Sequence, residues 1–69
     1  MEKRLCYLTR GGDAVITRAK KAPRLQTLGL TPGKTVHCKY KSGCIMVLEV
    51  EKRLLALRIR DLKWVWADF

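Results

Sequence analysis

The sequence predicts a mainly β domain: a small, strongly bent sheet of five short strands, with one short helix between strands 1 and 2 and a 3-10 turn before the last strand. Three observations support this. Apolar residues recur with a period of two over short runs, as in Val36, Cys38 and Tyr40 or Met46, Leu48 and Val50. Turn-forming residues, Gly11-Gly12, Pro32-Gly33 and Gly43 among them, separate these runs. No segment holds a helical apolar pattern beyond about two turns, which disfavours helical and ferredoxin-like folds.

Sixty-nine residues are read as one domain, 1–69, near the size where a single core leaves only a few kcal/mol of stability. Residues 1–8 form an N-terminal segment expected to be partly flexible, anchored by Leu5, Tyr7 and Leu8. Asp13 to Arg18 reads as the first strand, with Ala14 and Ile16 on one face and Val15 and Thr17 on the other. Pro23 suits a helix start, where its missing N–H costs nothing. Arg24 to Leu28 then makes a short helical turn with Leu25 and Leu28 on one face. Gly29 is placed to end it in a left-handed conformation, and Leu30 to fold back as the accompanying apolar contact. Thr31-Pro32-Gly33 makes the next corner.

The second strand runs from Lys34 to Lys41, with Val36, Cys38 and Tyr40 inward and His37, Lys39 and Lys41 outward. In the third strand Met46, Leu48 and Val50 face the core, while Ile45 and Val47 face away. For Tyr40, Cys38 and Val36 to share a side with Met46, Leu48 and Val50, strict alternation requires an odd hairpin loop. Ser42-Gly43-Cys44 is assigned as that three-residue loop. A second turn at Lys52-Arg53 leads to a fourth strand, Leu54 to Ile59, with Leu55, Leu57 and Ile59 inward. Arg60-Asp61-Leu62 fits a single 3-10 turn. Lys63 to Ala67 closes the sheet, with Trp64 and Trp66 on one face and Val65 on the other.

The catalytic inventory is thin. One histidine, six scattered acids and no glycine-rich phosphate loop point to a protein that is not an enzyme and needs no cofactor. Thr31-Pro32-Gly33-Lys34 lacks the glycine spacing and the hydroxyl of a phosphate cradle. Cys6, Cys38 and Cys44 are odd in number and irregularly spaced, and His37 and Cys38 would point to opposite faces of a strand, so neither disulfides nor a metal site is expected. No run approaches the length of a membrane-spanning helix, and the opening residues lack the apolar core of a leader, so a cytoplasmic location is expected. Fifteen Lys and Arg against six Asp and Glu leave +9, a field that calls for an acidic partner or surface.

The stretch Arg24-Leu25-x-x-Leu28-Gly29-Leu30-x-Pro32-Gly33-x-x-Val36 resembles the signature of the FeoA family, the small cytosolic subunit of bacterial ferrous iron uptake systems. Leu55-Ala56-Leu57-Arg58 followed by Asp61-Leu62 is similar to that family's closing segment, so the resemblance covers roughly residues 8 to 66. It implies an SH3-like barrel. It also implies a cytosolic accessory role, in which the protein docks on the GTP-binding part of the large membrane transporter FeoB and modulates it, rather than carrying iron itself.

For such docking the candidates are Leu28, Leu30, Trp64 and Trp66 for apolar contact, with Arg24, Lys20 and Lys21 for electrostatic steering. The bland reading of the leucines is core packing, with Leu28 or Leu30 flooring a shallow pocket. For the tryptophans it is filling the barrel. Two other functions stand beside this one: a nucleic-acid-binding SH3-like module using Arg18, Lys20, Lys21, Arg24, Lys39 and Lys41, and a homo-oligomer formed through edge strands. A shared face for Trp64 or Trp66 and the basic cluster would favour nucleic acid.

Overall fold

A computed structural model of the chain describes residues 1–20 and 23–69. Six antiparallel strands form one sheet: β1 (Glu2–Arg4), β2 (Asp13–Ala19), β3 (Thr35–Ser42), β4 (Ile45–Val50), β5 (Arg53–Arg58) and β6 (Val65–Asp68). Their spatial order is β1-β6-β2-β3-β4-β5. Helix α1 spans Pro23–Thr27, and 3-10 turns cover Leu5–Tyr7 and Ile59–Trp64. The strand beyond the five expected is β1, which pairs with β6 from Glu2↔Asp68 to Arg4↔Trp66. Its residues, Glu-Lys-Arg, have no apolar alternation, so only the partner strand shows that it is there.

The latch after α1 forms as its residues dictate. Gly29 adopts φ +105°. Its N–H donates to Gln26 O at 3.0 Å, and Leu30 N–H reaches back to Leu25 O at 3.1 Å. This pair of bonds is the Schellman closure, which satisfies carbonyls the helix leaves open and brings the flanking apolar residues together. Leu25 and Leu30 are accordingly both buried. Gly33 at φ +92° and the Lys34 N–H to Thr31 O bond complete the following type II turn. Gly33 N–H also donates to Ile16 O, and Ile16 N–H to Lys34 O, so the turn is sewn to β2.

The β3–β4 hairpin departs from the expected three-residue loop. Ser42 pairs with Ile45, leaving Gly43-Cys44 as a two-residue loop. Parity is restored inside β3 instead, where the register slips between Cys38↔Leu48 and Tyr40↔Val47. This β-bulge adds the odd residue. It keeps Val36 and Cys38 buried opposite Val50 and Leu48, but turns Tyr40 outward, 48% exposed, against the expectation that it lines the core. A second bulge in β2, between Ile16↔Ala67 and Arg18↔Trp66, lets Thr17 and Arg18 both face solvent. The two bulges lie in adjacent strands and bend the sheet over the core.

The second hairpin turn also moves by one residue. It is Glu51-Lys52, since Val50 pairs with Arg53. Both turn residues are left-handed, at φ 50° and 65°, the requirement of a type I′ turn that Asn-Gly would meet with less strain. Strand β5 still brings Leu55, Leu57 and, beyond its end, Ile59 against the core. The core consists of apolar residues from the strands, α1 and both 3-10 turns, including Leu5, Ile16, Leu30, Val36, Met46, Leu48, Leu62 and Val65. Lys41 Nζ donates to Cys6 O and Leu8 O at 2.8 and 3.1 Å, capping the first 3-10 turn.

Two stability measurements test this account. Gly29→Ala forces a Cβ into a left-handed position 3.2 Å from Arg53 Nη2 and should cost about 1–2 kcal/mol in chemical denaturation. Lys52→Gly should act in the opposite sense, raising stability by about 1 kcal/mol. No gain at Lys52 would mean that the turn is not strained.

Candidate docking surface

The strands β1, β6 and β2 present an outer face centred on Trp66. Arg4 of β1 and Arg18 of β2 are its register partners on either side. Their guanidinium carbons lie 5.9 and 4.5 Å from the indole ring centre, within cation–π range. Arg18 reaches this position because of the β2 bulge; strict alternation from the buried Ile16 would have aimed it at the core. Glu2 fixes the arrangement, with Oε1 accepting from Arg18 Nη2 at 3.2 Å and Oε2 accepting from the Thr17 hydroxyl at 2.6 Å.

Trp64 ends the second 3-10 turn and is 42% exposed. Its carbonyl accepts the Lys20 N–H at 2.8 Å, which places Lys20 beside it. Trp64, Trp66 and Lys20 are thus brought to one end of the sheet, together with Arg4 and Arg18. Trp66 and Trp64 both lie outside the core, while Val65 between them is fully buried.

The other predicted residues are placed differently. Leu30 has no exposed surface and belongs to the core, so its part is to hold the latch rather than to touch a partner. Leu28 is half-buried at the exit of α1, where its carbonyl accepts from Arg53 Nη2 at 3.2 Å. Arg24 is exposed on α1. Lys21 lies outside the described residues.

The electrostatics are lopsided. Each of the six carboxylates is already engaged: Glu2 by Arg18, Glu49 by Lys39, Glu51 by Lys34, Asp61 by Arg58, Asp68 by the Met1 ammonium, and Asp13 by the His37 ring. These pairs sit at the surface, where each contributes little to stability. Their consequence is that the basic surplus has no internal counter-charge. Lys3 and Arg10 lie over the rings of Phe69 and Tyr40, while Lys20, Arg24, Lys52, Arg60 and Lys63 are exposed. His37 and Cys38 do point to opposite sides, Cys38 into the core and His37 toward Asp13 at 2.6 Å. Among the described residues no three His, Cys, Asp or Glu side chains converge, and no helix is long and apolar enough to cross a membrane.

Arg4 and the stacking role of Arg18 escape a reading of the sequence, because Arg4 meets Trp66 only through pairing of the two chain ends. The cation–π contact makes a direct prediction. A double-mutant cycle of Arg18→Ala and Trp66→Leu should give a coupling of about 0.5–1 kcal/mol in denaturant unfolding. The Arg4→Ala cycle, at the longer distance, should give less. Zero coupling for Arg18 would show the two groups to be merely adjacent.

The FeoA domain family matches residues 3–67. The fold is similar to the crystal structure of an iron uptake regulatory protein (FeoA), with a TM-score of 0.89, 18% identity, and coverage of 97% of this chain and 96% of that one. It is also similar to part of a manganese-dependent transcriptional repressor, with a TM-score of 0.80 and 10% identity, and to part of T. acidophilum IdeR, with 0.82 and 18%. The match takes in 96% of this chain in both cases but only 40% and 33% of those chains. No curated protein matches the chain.

Proposed function

The chain belongs to the FeoA domain family, and from that premise we propose that it is an accessory protein of a bacterial ferrous iron uptake system, docking on the cytosolic GTP-binding part of the membrane transporter FeoB. The observation that supports this most is the extent of the family match, residues 3–67, which takes in the latch, the barrel and the tryptophan-bearing last strand. The contact surface proposed is Trp64 with Lys20 and the Trp66 face; Leu28 lies apart from it, its carbonyl bonded to Arg53 of β5. Exposed indole area rimmed by cations is a typical anchor for an acidic partner patch. With every carboxylate engaged, the cations are left to steer that encounter.

One observation favours a second reading, a nucleic-acid-binding module. Trp66 shares its face with Arg18 and Arg4, the juxtaposition that stacking recognition uses. Against it, Arg18 is held by Glu2 and rests on the ring a base would need. Lys39 and Lys41 are engaged by Glu49 and by backbone carbonyls.

The test is a pull-down with the tagged chain from source-cell lysate containing solubilised membranes, with and without nuclease. The expected result is recovery of the ferrous iron transporter despite nuclease. Trp64→Ala should weaken it roughly tenfold or more, and Lys20→Glu should weaken it mainly at low salt. Recovery of nucleic acid alone would overturn the accessory role and establish the second reading.

A further inference from the structure

The opposite end of the sheet carries a surface that the reading above does not use. Strand β5 is the last in the spatial order, bonded to β4 on one side only. Among the described residues, no backbone hydrogen bond reaches β5 from any other element. One edge of its N–H and C=O groups is therefore open to another strand. Natural edges are normally blunted by bulges, proline, shortness or charge. The other edge, β1, obeys this rule, with three residues that are all charged. β5 does not: it runs six residues in unbroken register with β4, contains no proline, and has the uncharged centre Leu54-Leu55-Ala56-Leu57.

The outer face behind this edge is apolar as well. Tyr40, Val47 and Ala56 are register partners in one row across β3, β4 and β5. Ile45 lies in the next row, and Leu54 stands at the other end, opposite Glu49. Leu54 is 64% exposed, Tyr40 48% and Ile45 37%. The β3 bulge is what puts Tyr40 in this patch.

Charge decides what fits. Exposed Lys52, beside Arg53, which is bonded to the Leu28 carbonyl, brackets one end of β5, and exposed Arg60, beside the Arg58–Asp61 pair, the other. A second copy adding its own β5 antiparallel and centred would set Arg53 against Arg58 at both ends, which is unfavourable. We propose that β5 is a strand-addition site for an extended segment of an acidic partner protein, with alternating apolar or β-branched residues at its centre and carboxylates at both ends. The partner's main chain takes the open edge, alternate side chains rest beside Leu54 and Ala56 on β5, and the end carboxylates meet the flanking cations. This rests on the edge, its exposed face and its charges, and holds whether or not the Trp64 surface binds a transporter.

The probe is a short capped peptide of alternating Val and Thr with aspartates at both ends, titrated into the isotope-labelled chain and followed by amide NMR and hydrogen exchange. The site predicts saturable shifts centred on residues 53–58 and slowed exchange of β5 amides. A lysine-ended version should bind at least about tenfold more weakly. The Lys52→Glu, Arg60→Glu double variant, altered only at exposed positions, should abolish that preference. Leu54→Lys should abolish binding of the aspartate-ended peptide while leaving the unbound spectrum folded. Shifts centred on Trp64 and Trp66, equal binding of a proline-interrupted acidic peptide, or no saturable binding would each overturn the proposal. So would a dimer in sedimentation that Leu54→Lys disrupts, which would make a second copy the occupant.

Discussion

A sheet this small has one apolar face to hide, and each strand must keep that face inward through every turn. Because side chains alternate, a single residue too many or too few would turn the following strand inside out. Much of the architecture can be understood as the means by which this parity is kept. The β3–β4 loop has two residues, an even number, and by itself would expose Met46, Leu48 and Val50. The bulge at Lys39 supplies the missing residue within the strand. The bulge at Thr17 does the same service for β2, allowing Arg18 to stay in water while Ala19 returns toward the core.

These corrections also set the candidate surfaces. The Thr17 bulge delivers Arg18 to the ring of Trp66, and the Lys39 bulge delivers Tyr40 to the outer face of β3–β4–β5. Where a bulge falls, a side chain is re-aimed, and here both re-aimed side chains take part in candidate contacts. The latch at Gly29 works differently. It joins the end of α1 to the start of the type II turn, so Leu25 and Leu30 enter the core and the chain leaves directly toward β3.

Charge organisation follows a comparable economy. With each carboxylate held by a cation or by His37, the surplus of Lys and Arg cannot be neutralised within the molecule. It is spread over the rim of the Trp64–Trp66 surface, the ends of β5 and the rings of Phe69 and Tyr40. Such a distribution gives a long-range positive field with little stabilisation of the fold itself. Membership of the FeoA domain family supplies the context in which that field is proposed to act.

How much of this was legible beforehand depended on the range of the interaction. Gly29, Pro32 and Gly33 act on neighbours within a few residues, so the latch, the turn and the short helix were readable from composition and order. The alternation of Ala14 and Ile16, or of Met46, Leu48 and Val50, was readable for the same reason, as was the 3-10 turn around Asp61. Strand β1 was not readable, because its three charged residues gain their conformation only from β6 at the other end of the chain. The bulges at Thr17 and Lys39 were equally silent, since a strand shows its own period but not the register of its partner. That register decided the loop length, the outward turn of Tyr40 and the stacking of Arg18 on Trp66. Local chemistry thus determined which residues turn, cap and alternate. Only pairing between distant segments decided which of them face water.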